Sequence, residues 1–101
     1  MNIVNSVNVR AFEIVDLADL DPITVFLQDL GPGRGRITVE CYGSAWSAYF
    51  GAMGSATGIQ GFVRDAGEDY LVNKFHAPTL KARKRDEAYL KRILTAVKAV
   101  L

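Results

Sequence analysis

Apolar and polar residues alternate through most of the first half of the chain. Val7, Val9, Phe12 and Ile14 lie at two-residue spacing, with a change of phase near Arg10 and Ala11. Successive side chains of a strand point to opposite faces, so this spacing predicts a strand, and the phase change predicts a bulge or bend. The segment Asp16-Leu17-Ala18-Asp19-Leu20-Asp21-Pro22 breaks the pattern with three acids and a proline and reads as a connection. Ile23, Val25 and Leu27 alternate with Thr24, Phe26 and Gln28, which predicts a second strand. Gly31-Pro32-Gly33-Arg34-Gly35-Arg36 is dense in turn formers. Ile37, Val39 and Cys41 alternate with Thr38, Glu40 and Tyr42 as a third strand. Gly43-Ser44 predicts a tight hairpin turn, and Ala45 to Ala52 a fourth strand. Strands joined in sequence by short turns form an antiparallel meander.

The period then lengthens. Thr57 and Gln60 have capping-box spacing, and Ile59, Phe62, Val63 and Ala66 follow at helical intervals up to Gly67, a predicted C-terminal stop. Glu68 and Asp69 precede Tyr70, Leu71, Lys74 and Phe75, placing acids where a helix dipole favours them. Beyond Pro78, the stretch from Leu80 to Leu101 carries Leu90, Ile93, Leu94, Val97 and Leu101 in a 3, 4, 7 pattern. The expected fold class is therefore α+β. A four-stranded antiparallel meander is followed by two short helices and a long C-terminal amphipathic helix packed on one sheet face.

Composition narrows the function classes. With 101 residues, half of them apolar and 23% charged, a single globular domain is expected. One cysteine, Cys41, makes no internal disulfide. One cysteine and one histidine, His76, do not supply the set of about four ligands a structural zinc takes, so no metal or other cofactor is expected. The first ten residues lack the basic start and apolar run of a signal peptide, and no apolar run approaches the roughly 18 residues of a membrane span. A cytoplasmic protein with no membrane partner is the expectation.

The formal charge of +1 conceals a division. Residues 77–101 hold seven basic and two acidic residues, a net of +5; residues 1–76 hold five basic and nine acidic residues, a net of −4. The total excludes a wholesale DNA mimic and a DNA condenser. The local +5 leaves room for an anionic partner.

The pieces Gly33-Arg34-Gly35-Arg36-Ile37-Thr38-Val39-Glu40-Cys41-Tyr42-Gly43, Ala45-Trp46-Ser47-Ala48-Tyr49-Phe50-Gly51-Ala52-Met53-Gly54 and Asp69-Tyr70-Leu71 resemble a group of small proteins of tailed phages and prophages of Gram-negative bacteria. The resemblance covers roughly half the chain and is most specific over residues 45–54. The group has no established activity, so no site residue carries over. The resemblance implies a phage or prophage product acting in a bacterial host. Accessory proteins of that kind act by binding host defence complexes, host enzymes, or DNA at replication and recombination.

Several residues are candidates for such binding. Arg34 and Arg36 stand two apart in the glycine-rich run and, on an extended segment, point the same way. They could meet an anion, although the run lacks the Gly-Lys-Ser/Thr ending of a phosphate loop and leads into a strand; the plain alternative is a solvated hairpin loop. Trp46 and Phe50 share a face with Ala48 and are expected in the core, while Tyr49 faces outward, beside Tyr42 across the hairpin. The small residues around the aromatics would let another backbone approach closely, as in sheet-edge pairing. Lys81, Arg83, Lys84, Arg85, Lys91 and Arg92 form the basic stripe of the last helix. It is a phosphate or acidic-protein contact, a solvated helix face, or a surface laid against the acidic first half of the chain.

Catalysis has little support. A triad drawn from Ser44 or Ser47, His76 and Asp69 has no nucleophile elbow, and Cys41 is expected as a buried thiol. The leading expectation is a non-enzymatic phage accessory protein that binds and modulates a host protein, a defence-system inhibitor among the candidates. The alternative is a nucleic-acid-binding accessory protein using the basic helix and the arginine loop, and a small enzyme ranks last. A homo-oligomer formed through Val97, Val100 and Leu101 stays open.

Overall fold

The computed structural model describes residues 2–54, 57–75 and 84–101, with side chains of the last segment from Glu87 onward. Strands β1 (Arg10–Ile14), β2 (Ile23–Gly31), β3 (Arg34–Cys41) and β4 (Ser44–Phe50) form one antiparallel sheet in the order β1-β2-β3-β4. Helices α1 (Ile59–Asp65), α2 (Glu68–Phe75) and α3 (Lys84–Val100) follow. The α+β class and the meander followed by helices are as the alternation predicts.

Period-two burial makes the sheet one-sided. Ile14, Ile23, Val25, Leu27, Ile37, Val39, Cys41, Ala48 and Phe50 are buried along alternate positions. Ile59 and Val63 of α1, Leu71, Val72 and Phe75 of α2, and Leu90, Ile93, Leu94 and Val97 of α3 complete the same core. Burying each such side chain is worth about 1.5–3 kcal/mol, and none of the described polar or charged residues is buried. Val97 is thus used by the core of its own chain.

Element boundaries differ from the sequence reading at three places in the sheet. β1 begins at Arg10, while Val7 and Val9 lie in an exposed segment without regular structure. The β1–β2 ladder ends at Arg10 and Leu27, although β2 itself runs on to Gly31. The glycine-rich run is mostly strand, since β2 runs through Gly31 and β3 begins at Arg34. Only Pro32 and Gly33 turn the chain; a proline followed by a residue at φ 71° is the order a type II turn requires. Gly35 lies in β3 because α1 crosses it. A Cβ there would come within 2.8 Å of the Ile59 Cβ. The β3–β4 turn is Tyr42-Gly43 rather than Gly43-Ser44, with φ of 50° and 77° at its two central residues. Two successive positive φ values mark a type I′ turn, whose twist suits a two-residue hairpin.

The capping box also gives way to a long-range contact. The N-cap of α1 is Gly58, with no side-chain cap of its own. The Ile59 N–H donates instead to Asp29 Oδ1 at 2.8 Å, from the end of β2. Gln60 accepts a hydrogen bond from Arg10, which ties α1 to β1. At the other end, α1 finishes on Ala66 in an extended conformation, and Gly67 does not take the left-handed one. The last helix is described from Lys84, so its predicted start at Leu80, together with His76, Lys81 and Arg83, lies outside the described residues.

Candidate functional site

The sheet face turned away from the helices carries three cross-strand rows. Gln28, Arg36 and Tyr49 stand side by side in the first. Ala11, Phe26, Thr38 and Ser47 make the second, and Glu13, Thr24, Glu40 and Ala45 the third. Rows two residues apart are separated by about 7 Å. The face is therefore polarised: basic and aromatic at one end, uncharged in the middle, acidic at the other. Its charges are Arg34 and Arg36 against Glu13 and Glu40, so it has no excess of positive charge.

Several of its members are exposed. Tyr49 is 53% accessible and Phe26 36%. Thr38 Oγ1 donates to Ser47 Oγ at 3.1 Å, linking β3 to β4 in the central row. At the basic end Arg34 is also exposed, and its Nη2 donates to the Leu30 carbonyl at 3.2 Å. Arg34 and Arg36 flank the buried Gly35 and share the outer side of β3, as their spacing predicts.

Tyr42 stands at the tip of the β3–β4 hairpin, 82% accessible. It is not beside Tyr49, whose neighbour across the ladder is Arg36. The one-residue shift of the turn removes Tyr42 from the strand and puts it in left-handed backbone. That conformation costs a non-glycine residue about 1–2 kcal/mol. An exposed aromatic held there gains no core packing in return.

The described basic side chains of α3 have partners within the chain. Lys91 Nζ is 3.2 Å from Asp69 Oδ1, and Lys98 Nζ is 3.8 Å from Glu68 Oε1 and also donates to the Ala66 carbonyl. Arg92 Nη2 donates to the Asp19 carbonyl at 2.8 Å. These contacts join the +5 segment to the −4 segment of the same chain. Exposed pairs of this kind contribute about 0–1 kcal/mol each. Their larger consequence is that Lys91 and Arg92 are engaged within the fold. Lys84 and Arg85 lie on the first turn of α3, where the backbone alone is described.

Trp46 and Phe50 pack under the helices, Trp46 edge-on to Tyr89 with ring centroids 5.9 Å apart, and Phe50 against Phe62 at 4.9 Å. Cys41 is buried, with Sγ 3.1 Å from the Tyr89 hydroxyl. That hydrogen bond, and then burial, push the Tyr89 hydroxyl up to about 12. Arg64 and Asp65 form an exposed pair in which the hydrogen bond raises the guanidinium and lowers the carboxyl. A notch of about 110 Å³ opens at the end of β4 between Tyr49, Phe62, Tyr70 and Lys74. Among the described residues, no three His, Cys, Asp or Glu side chains gather where they could hold a metal ion. Nor is any described helix long and apolar enough to cross a membrane.

Sequence reasoning passed over Phe26, Glu13 and Glu40 on the open face. The signal was present for Phe26: it alternates with the buried Ile23, Val25 and Leu27, so an aromatic falls among the polar positions.

Fold and surface define a small α+β protein with helices on one side of a meander and a polarised open face on the other. The family model Phage_phiTE_072, described as a phage family, matches residues 1–101, and the chain belongs to that family. No curated protein and no solved structure matches the chain significantly.

Proposed function

We propose that this phage protein is a non-enzymatic accessory factor that binds and modulates a host protein in the bacterial cytoplasm, using its open sheet face. One observation carries the reading: a face of exposed Tyr49, Phe26 and Arg36, uncharged at its centre and acidic at its far end, stands outside the core. Tyrosine and arginine anchors beside small polar residues suit a protein interface. The partner's surface is acidic opposite Arg36 and basic opposite Glu13 and Glu40. Tyr42 extends the surface at the hairpin tip, where its unfavourable backbone has no packing rationale. Host defence assemblies and host enzymes are the target classes that a phage accessory factor of this kind would meet.

The charge layout favours a protein over a nucleic acid. A phosphate-binding surface needs a surplus of lysine and arginine, and the open face balances Arg34 and Arg36 against Glu13 and Glu40. Capture from host lysate with and without nuclease, followed by titration of single- and double-stranded DNA and RNA across salt, tests the reading. A captured protein that survives nuclease, with no nucleic-acid binding at low salt, is expected. Loss of the captured protein on nuclease treatment, or affinity for nucleic acid that falls steeply with salt, would overturn it.

A further inference from the structure

The two edges of the sheet are built differently. β1 is five residues long, carries Arg10 and Glu13, and is followed by Asp16 at φ 59°. Charge, brevity and a bend are the usual protections of an edge against pairing. β4 is seven residues long and has no charged residue and no proline: Ser44-Ala45-Trp46-Ser47-Ala48-Tyr49-Phe50.

The two-residue turn fixes which peptide groups of β4 are free. A hairpin of that length closes on a hydrogen-bonded pair, here Cys41 with Ser44. The ladder to β3 therefore uses Ser44, Trp46, Ala48 and Phe50, and the peptide groups of Ala45, Ser47 and Tyr49 point to the outer edge. Among the described residues, no hydrogen bond reaches those three from any other element.

We infer that the free edge of β4 pairs antiparallel with β4 of a second copy of this chain, with Ser47 facing Ser47 across the two-fold axis. The sequence of the strand is complementary to itself in that register. Trp46 faces Ala48, Tyr49 faces Ala45, and Phe50 faces Ser44, so each aromatic meets a small residue. Shifting the axis to residue 46 sets Trp46 against Trp46. Shifting it to residue 48 sets Trp46 against Phe50. Of these three central registers, the Ser47-centred one alone avoids opposing two large rings, and it pairs Ala45, Ser47 and Tyr49 through their free peptide groups along the whole strand. A two-fold axis through an antiparallel pair stands perpendicular to the sheet. Both helix layers then lie on one side, and the two open faces join into one eight-stranded surface. This inference stands apart from the identity of any host partner.

Light scattering on the full chain at high micromolar concentration tests it, and twice the 11.1 kDa chain mass is expected. Ser47→Lys places two like charges face to face on an exposed position and is expected to give the monomer mass with an unchanged circular dichroism spectrum. Asn73→Lys, an exposed change on α2, leaves the dimer intact. Register is read by oxidation: Ser47→Cys is expected to cross-link to itself, whereas Tyr49→Cys is not. A monomeric wild-type chain, a dimer that persists in Ser47→Lys with its fold intact, or self-cross-linking through Tyr49→Cys with none through Ser47→Cys would overturn the inference. The second of those outcomes would move the contact elsewhere, for example to the exposed Val100.

Discussion

The two faces of one sheet obey different rules. On the covered face, Ile37 and Val39 are fully buried, and their neighbours across the ladders are Leu27, Val25, Ala48 and Trp46. On the open face, Thr38 and Glu40, alternating with them on the same strand, face Phe26, Thr24, Ser47 and Ala45. Shape and volume decide the first face; charge order and a few exposed rings characterise the second. A strand can serve both because its side chains alternate, so substitutions one residue apart separate stability from recognition.

The largest expected contrast lies between Ile37 and Thr38. Ile37→Ala removes a fully buried side chain and is expected to cost about 2–5 kcal/mol. Thr38→Ala removes only the partly exposed bond to Ser47 and should cost about 1 kcal/mol or less. Urea titrations of the two variants check this, and equal losses would abolish the distinction between the faces.

A smaller effect is expected where the helix layer is fastened to the sheet. Asp29→Ala removes the only side chain capping α1 among the described residues and is expected to lower stability by about 0.5–2 kcal/mol, measured by thermal unfolding. Thr57→Ala, at the position the local spacing suggested, should change it little.

Tyr89 gives the covered side a pH signature. Its folded-state value is raised from 10.0 to about 12. Both states keep the phenol proton at neutral pH. As pH rises past 10.0 the unfolded chain loses that proton while the folded chain holds it, so stability falls from there through about 12. Ultraviolet titration should show a tyrosine step near 12 that is absent from Tyr89→Phe. The variant should also lose part of the alkaline sensitivity.

A small change of opposite sign is expected at Tyr42. Tyr42→Asn puts a residue suited to left-handed backbone at the first turn position and is expected to gain about 0.5–1 kcal/mol. If Tyr42 contacts the partner, the same substitution stabilises the chain and weakens capture. Gain without loss of capture would confine the interface to the strands.

Much of the fold is legible in the sequence because two-residue and 3, 4, 7 spacing are local. Ile23 to Cys41 shows the covered face directly, and the outward turn of Tyr49 follows from the inward turn of Trp46 and Phe50. Tertiary contacts are not local. Asp29 caps a helix thirty positions away, and nothing near Thr57 and Gln60 reveals that the cap is supplied from β2. Lys91 and Arg92 look free on a helical wheel, yet they meet Asp69 and the Asp19 carbonyl. The glycine-rich run looks like a loop because Gly35 is a turn former in isolation; against Ile59 it is a strand residue without room for a side chain.

The most direct measurement compares capture of the nuclease-resistant host protein by four chains at matched stability. These are the wild type, Arg36→Glu, Tyr49→Ala, and Asn73→Ala on the helix side. An interface on the open face predicts that Arg36→Glu and Tyr49→Ala each reduce capture at least tenfold, about 1.4 kcal/mol or more, while Asn73→Ala leaves it unchanged. Undiminished capture by both open-face variants, with loss in Asn73→Ala, would place the interface on the helices and contradict it.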